Sequence, residues 1–402
     1  MALYALQWFM ISIPVVLTST FAAPEGETVF FTQKLFAVMG LTMAVQVLWG
    51  HRLPLVAGPA AALLMGVVAA AAQGCGTTEI YSAIALGGGV VAAAAASGTL
   101  SRLQRIFTPR IIIAILLLVA FTIARPIVGL IFSDAEHHRT AFVFALLCVP
   151  VMAVANNLLR GVWKTTVVIW AMILGSLVYY CLTEFPTHLV SDSAEPRWFN
   201  LPMKFDAGVA LAFAFCYVAL LINEIGSIQS LGEMISADRL PQRNRRGVFI
   251  TGAMNVVAGV FGVLGPVDYS LSPGVVASTL CASRYTLLPA AAAMILLSLC
   301  PDAVAVLLTT PQPVMGTVLL YLMATQTAAG LSMIQTSKAV TSFRDGMILG
   351  IPVMLDTIIS FAPAEVIDTI PALLRPIAGN GFVMGIIAVL VLEHLLLSRR
   401  GR

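Results

Sequence analysis

The chain has 402 residues, 59% of them hydrophobic and only 10% charged, with a mean hydropathy of +0.96. That composition excludes an ordinary soluble domain and describes an integral membrane protein. A formal net charge of +3, with no basic stripe and no RNA-binding aromatic motif, gives nucleic acid no footing.

The N-terminal stretch MALYALQWFMISIPVVL lacks a basic n-region and a small-residue cleavage site, and reads as a retained first span rather than a signal peptide. A bilayer core about 30 Å thick needs about 20 apolar residues per helix, which predicts about fourteen segments. The first set of seven centres near Ile13, Met39, Met65, Gly88, Val119, Cys148 and Met172. The polar stretch HLVSDSAEPRWFNLPMKFD then divides the chain, and the second set centres near Tyr217, Val256, Ala277, Met294, Leu322, Met354 and Ile387. Cytoplasmic loops collect Lys and Arg. With the N-terminus inside, the outer side receives only Lys34, Arg139, Arg197, Lys204 and Arg375 of the 22 basic residues, and Arg125 stays within a span. Both termini are therefore expected in the cytoplasm.

An odd number of spans per set makes the second set run opposite to the first. This is the arrangement of an inverted repeat, in which discontinuous helices at matching positions hold a substrate near the midplane. The third span, LPLVAGPAAALLMG, is interrupted at Gly58 and Pro59. The tenth, within GPVDYSLSPGVVASTLCASRY, is interrupted at Pro273 and Gly274 after Pro266, Asp268, Ser270 and Ser272. Non-helical backbone at membrane depth survives only where protein buries it or it lines a wet cavity, so these stretches mark a ligand site. The small-residue run GGGVVAAAAASG in the fourth span reads as close helix packing.

Charged groups inside spans default to functional hypotheses. In the eighth span, AFAFCYVALLINEIGSIQSLGEM, the cluster Asn223, Glu224, Ser227 and Gln229 interrupts the apolar run, and Glu224 is the candidate proton carrier. Asp268 is placed either to cap half-helix amides or to touch ligand. Arg125 is expected to snorkel or to pair with a carboxylate, with Asp356 as a candidate partner. None of the five histidines (His51, His137, His138, His188, His394) falls at the centre of a span, so no histidine relay is expected. The six cysteines (Cys75, Cys148, Cys181, Cys216, Cys281, Cys300) stand singly, with no metal-binding spacing, and neither metal nor cofactor is expected. No nucleophile, base and orienting group occur together at motif spacing, which argues against an enzyme.

With these motifs in hand, the chain resembles the nucleobase:cation symporter-2 family, the nucleobase/ascorbate transporters that include uracil and xanthine permeases. The resemblance is carried by the polar eighth span, by RRGVFITGAMNVVAGVFGVLG leading into the tenth, by ASRY closing it and by TPQPVMGTVLLYLM opening the twelfth. It implies an all-α polytopic fold of 14 spans in a 7+7 inverted repeat, with short strands in broken spans 3 and 10. It further implies core-domain segments at residues 1–100 and 205–310, gate-domain segments at 101–185 and 311–402, and a homodimer through the gate. Of the family's tenth-span signature, Gly274 and Thr279 are in register, whereas its acidic and Asn positions are Leu271 and Ser272. Asn223 occupies the family's eighth-span Glu position, with Glu224 one residue later, about 100° round a helix. The third-span motif appears as Gly58, Pro59, Ala60, Ala61, Ala62 and Leu63, and the first-span Gln-His pair as Gln7 and Trp8.

The expectation from these residues is a divergent secondary transporter in a bacterial inner membrane. It would import a small nucleobase-like heterocycle with a proton, or Na+, by an elevator-like motion. Substrate contacts are assigned to Asn223, Glu224, Tyr269, Ser270, Leu271, Ser272, Ala61 and Gln7, and proton coupling to Glu224. Structural roles in the broken helices go to Gly58, Pro59, Asp268, Pro273, Gly274 and Thr279. The alternatives are an anion transporter of the same fold, of the sulfate or bicarbonate type, and a transport-inactive sensor.

Overall fold

The computed structural model describes residues 2–17, 19–24, 26–72, 74–98, 108–122, 124–185, 191–192, 198–199, 202–269, 272, 276, 281–371, 378–379 and 381–397. Helices follow the apolar runs. The first half holds α1 (Ala2–Leu17), α2 (Thr28–Leu48), α3 (Ala61–Ala72), α4 (Thr77–Ser97), α5 (Pro109–Thr122), α6 (Ala124–Ile131), α7 (His138–Leu158) and α8 (Val167–Leu182). The second holds α9 (Ala207–Met234), α10 (Leu240–Phe261), α11 (Leu287–Ser298), α12 (Pro301–Leu308), α13 (Gln312–Ser337), α14 (Phe343–Ser360) and α15 (Gly381–Val391). Two short strands, β1 (Ala57–Pro59) and β2 (Pro266–Asp268), lie in the two interrupted spans and pair antiparallel, with Gly58 opposite Val267.

Among the described residues, six stretches are long and apolar enough to cross a bilayer: Thr28–Leu48, Thr77–Ser97, Pro109–Ile131, His138–Leu158, Ala207–Gln229 and Gln312–Ser337. The count is seven if α11 and α12, bent by 96° where Cys300 and Pro301 break the helix, form one span. The protein is thus a multi-pass membrane protein. The other apolar segments fall short of span length because they are cut by a strand or end early, as do Tyr4–Leu17, Trp170–Leu182 and Gly381–Leu396.

Packing divides the helices. The largest apolar cluster takes Trp8 from α1, Phe31 and Phe36 from α2, Leu63 from α3, Ile84 from α4, Phe213 from α9, Met254 from α10 and Ala291 from α11. A second joins Ile111 and Leu118 of α5, Ile348 and Val353 of α14, and Phe382 and Ile386 of α15, and includes Ala62 of α3 and Ala219 of α9. A third sets Leu17 against Met152, Val167, Met315 and Val318.

Helices α4 and α10 run backbone to backbone, and glycine is what permits it. A Cβ on Gly252 would lie 2.5 Å from the Ala92 amide nitrogen, one on Gly259 2.5 Å from that of Ala85, and one on Gly88 2.7 Å from the Gly252 carbonyl. This is small-residue packing of the kind lipid favours, since no hydrophobic force drives helices together there. Gly252→Ala is therefore expected to cost about 1–3 kcal/mol as overpacking. Gly350→Ala, where a Cβ meets nothing within 4 Å, should be neutral or stabilising by up to about 1 kcal/mol. Thermal unfolding of the two variants in detergent checks the contrast.

Candidate functional site

The β1–β2 pair closes a break that lipid would leave open. Beyond the ladder, the Tyr269 amide donates to the Val56 carbonyl at 2.8 Å, and the Ala60 amide to the Gly265 carbonyl at 2.9 Å. The Val56 amide donates to Ser272 Oγ at 3.0 Å, and the Tyr269 hydroxyl to the Pro59 carbonyl at 2.5 Å. Gly58 must be glycine here, because a Cβ would stand 2.1 Å from Cε2 of the Tyr269 ring.

Helix α9 docks onto β2 through one face. Glu224 and Ser227, three residues apart and so on the same side, are both buried. Oε2 of Glu224 accepts from the Asp268 amide at 2.9 Å, and Ser227 Oγ donates to the Asp268 carbonyl at 3.0 Å. Oε1 of Glu224 accepts from Thr251 Oγ1 of α10 at 2.7 Å. Gln46 of α2 completes this relay, its Nε2 donating to Thr251 Oγ1 at 2.8 Å and to the Gly247 carbonyl at 3.0 Å, with Glu224 Oε1 farther off at 3.4 Å. One turn along α10, Asn255 Nδ2 donates to the Pro266 carbonyl at 2.9 Å.

Behind the strands, at the end of α2, lies His51, fully buried. Its Nδ1 accepts from the Leu53 amide at 2.9 Å, and its Nε2 stands 3.0 Å from Asp268 Oδ2, off the line of a hydrogen bond. The loop carrying it is clamped by Arg243, whose Nη1 donates to the carbonyls of His51 at 2.9 Å and Arg52 at 3.2 Å. The same guanidinium, first by hydrogen bonding and then by charge, holds the exposed Asp238 carboxyl below the usual carboxylate range. Arg52, at φ 58, takes a left-handed conformation that this clamp sustains.

The structure brings together Glu224, Asp268, Tyr269, Ser272, Gly58 and Pro59. Asp268 does not act as a cap among the described residues, since neither carboxyl oxygen has a hydrogen-bond partner. Gln7 is buried in α1 with both amide heteroatoms unpartnered. Asn223 is half-buried beside Glu224. Ala61 faces elsewhere, against Ile127, Ile131 and Leu319. Ser270, Leu271, Pro273, Gly274 and Thr279 lie outside the described residues. His51 lies past the end of α2, at the centre of no span, and is buried because the chain turns back into the protein before β1 begins. One expectation needs correction. Arg125 does not pair with Asp356: it is exposed and donates to the Ser360 carbonyl at 2.9 Å, while buried Asp356 accepts from Thr122 Oγ1 at 2.8 Å and Ser360 Oγ at 3.0 Å. Gln46, Thr251 and Asn255 were not singled out from the sequence. Their one visible signal is a polar side chain in an otherwise apolar helix stretch.

The model of the Permease family matches residues 1–365. Two bacterial proteins bearing the name "Putative purine permease" align with the chain. YwdJ of Bacillus subtilis (strain 168) is 24% identical over 100% of this chain and 97% of its own length. CPE0397 of Clostridium perfringens (strain 13 / Type A) is 26% identical over 63% of this chain, which spans only 56% of that relative. Among solved structures, the transmembrane domain of a cyanobacterium bicarbonate transporter, BicA, superposes with a TM-score of 0.64 at 14% identity, covering 89% of this chain and 95% of its own. At that identity the likeness is one of fold.

Thr251 is both donor and acceptor in the relay from Gln46 to Glu224. Thr251→Val keeps the volume and deletes the hydroxyl, leaving a buried amide donor and a buried carboxyl oxygen each short of a partner. The expected loss is about 1–3 kcal/mol, read as a lower unfolding temperature, whereas Thr336→Val on an exposed helix face should change it little.

Proposed function

The chain belongs to the Permease family, and from that premise we propose that it is a secondary active transporter importing a nucleobase-like heterocycle, of the uracil or xanthine type, with a proton. Its relatives are permeases and transporters, not enzymes. The observation that carries the finer reading is the buried Glu224 carboxyl, bonded to the backbone amide of a strand inside a broken span. A carboxyl there is expensive and by default marks a functional site, and from that position its loading is felt directly by the β1–β2 pair.

In this reading the fold is a 7+7 inverted repeat of 14 spans with both termini cytoplasmic, in a bacterial inner membrane. Segments 1–100 and 205–310 form the core domain and 101–185 and 311–402 the gate, through which two copies associate. The core moves past the gate like an elevator. Substrate lies against Gln7, Asn223 and the backbone near Tyr269 to Ser272, with Leu271 narrowing the choice of base. Glu224 is protonated when loading from outside and deprotonated to the cytoplasm after release. An anionic substrate fits less well, because Glu224 and Asp268 place two carboxyl groups at the strands.

Two measurements test this. A thermal-shift screen of the detergent-purified protein against xanthine, uracil, uric acid and sulfate should single out a base, a ligand at a hundredfold its Kd adding about 2.7 kcal/mol. Stabilisation by sulfate alone would point to the anion reading. In proteoliposomes, Glu224→Gln should lower accumulation driven by a pH gradient by about tenfold or more, and unchanged coupling would remove Glu224 from the role.

A further inference from the structure

Glu224 is satisfied as it stands. Oε1 accepts from Thr251 and Oε2 from the Asp268 amide, so both oxygens have donors without a proton of their own. Asp268 is the opposite case. It is fully buried, and neither Oδ1 nor Oδ2 has a hydrogen-bond partner. A buried carboxyl in that condition is costly, and one added hydrogen would complete it.

Its surroundings supply no such hydrogen in line with either oxygen. His51 Nε2 stands 3.0 Å from Oδ2. Because His51 Nδ1 already accepts from the Leu53 amide, the proton of a neutral ring sits on Nε2, on the side of Asp268 but off the line to Oδ2. From α9 the neighbouring ionisable group is Glu224. From α10 it is Arg243, whose guanidinium is spent on the His51 and Arg52 carbonyls and on Asp238 and makes no ion pair with either carboxyl. No permanent cation among the described residues neutralises the two carboxyl groups.

Resting on the transport reading above, we propose that Asp268 is the second carboxyl of the coupling site, taking up and releasing a proton in concert with Glu224, and that His51 is a positioning residue that tunes it. The proton enters from outer water onto a carboxylate oxygen and leaves the same oxygen to the cytoplasm. The coupling to substrate is mechanical. The Asp268 amide is bonded to Glu224, its carbonyl to Ser227, and its residue in β2 faces Ala57 of β1. A change of protonation at Asp268 therefore pulls on the strand pair beside Tyr269.

The test uses the full chain in proteoliposomes with xanthine, uracil and uric acid as probes, comparing wild type, Glu224→Gln, Asp268→Asn and His51→Gln. Asp268→Asn is expected to retain measurable counterflow while losing gradient-driven accumulation by about tenfold or more. His51→Gln should keep accumulation and move the midpoint of its pH profile by about one unit. Full accumulation with an unmoved profile in Asp268→Asn overturns the proposal. If that variant does not fold, an unmoved profile in His51→Gln overturns it. Loss of coupling in Glu224→Gln alone sinks this proposal and leaves the transport reading standing. An infrared difference spectrum of the purified protein between acid and neutral pH gives a readout independent of any substrate. A protonated-carboxyl band should disappear in Asp268→Asn, and an unaltered spectrum overturns the proposal even if no probe is carried.

Discussion

A backbone that leaves the helix inside a bilayer must find its hydrogen bonds within the protein, and the rest of this structure follows from how β1 and β2 meet that demand. Six residues from the two halves of the chain pair antiparallel. The groups the ladder cannot reach are taken by side chains: Ser272 Oγ for the Val56 amide, Ser227 for the Asp268 carbonyl, Asn255 for that of Pro266, and Glu224 for the Asp268 amide. Unpaired groups in lipid cost several kcal/mol each. The polar residues of α9 and α10 are therefore part of the fold before they are part of any mechanism.

The same economy shapes the packing. Glycines at 88, 252 and 259 bring α4 against α10 at backbone contact, which fixes Thr251 and Asn255 relative to the strands. The second cluster reaches the first body through Ala62 of α3 and through Ala219 and Val218 of α9, while Val383 of α15 belongs to the first cluster, so the two bodies share side chains on both sides of their contact.

How much of this was legible beforehand depended on whether the signal was local. The breaks at Gly58 and Pro59 and near Asp268 stood out because proline and glycine inside an apolar run contradict a lipid-facing helix, and Glu224 because a carboxylate does. That Gly58 is pressed by the Tyr269 ring, 211 positions on in sequence, was not local. Nor was the relay from Gln46 through Thr251 to Glu224, since a single glutamine or threonine in a span is ordinary and gains meaning only when another helix places its partner. The burial of His51 is non-local in the same way. Hydropathy puts it in a loop between spans, but a loop leading into a broken span can turn inward, and the clamp of Arg243 on the His51 and Arg52 carbonyls holds this one there.

Recognition of a base then has to be argued from what the site retains. In the proposed reading Leu271 stands at the acidic position of the resembled family, and Ala61 is turned toward Ile127 and Leu319. Glu224 is committed to Thr251 and to the strand, which leaves little of it for a ligand. Gln7 remains, buried in α1 with both its amide oxygen and nitrogen unpartnered. An amide offers one acceptor and one donor side by side, complementary to the N–H and C=O edge that nucleobases carry. Leaving both groups dry would cost about 1–3 kcal/mol each, a penalty that a bound base of the right edge removes and a sulfate, which only accepts hydrogen bonds, removes only in part.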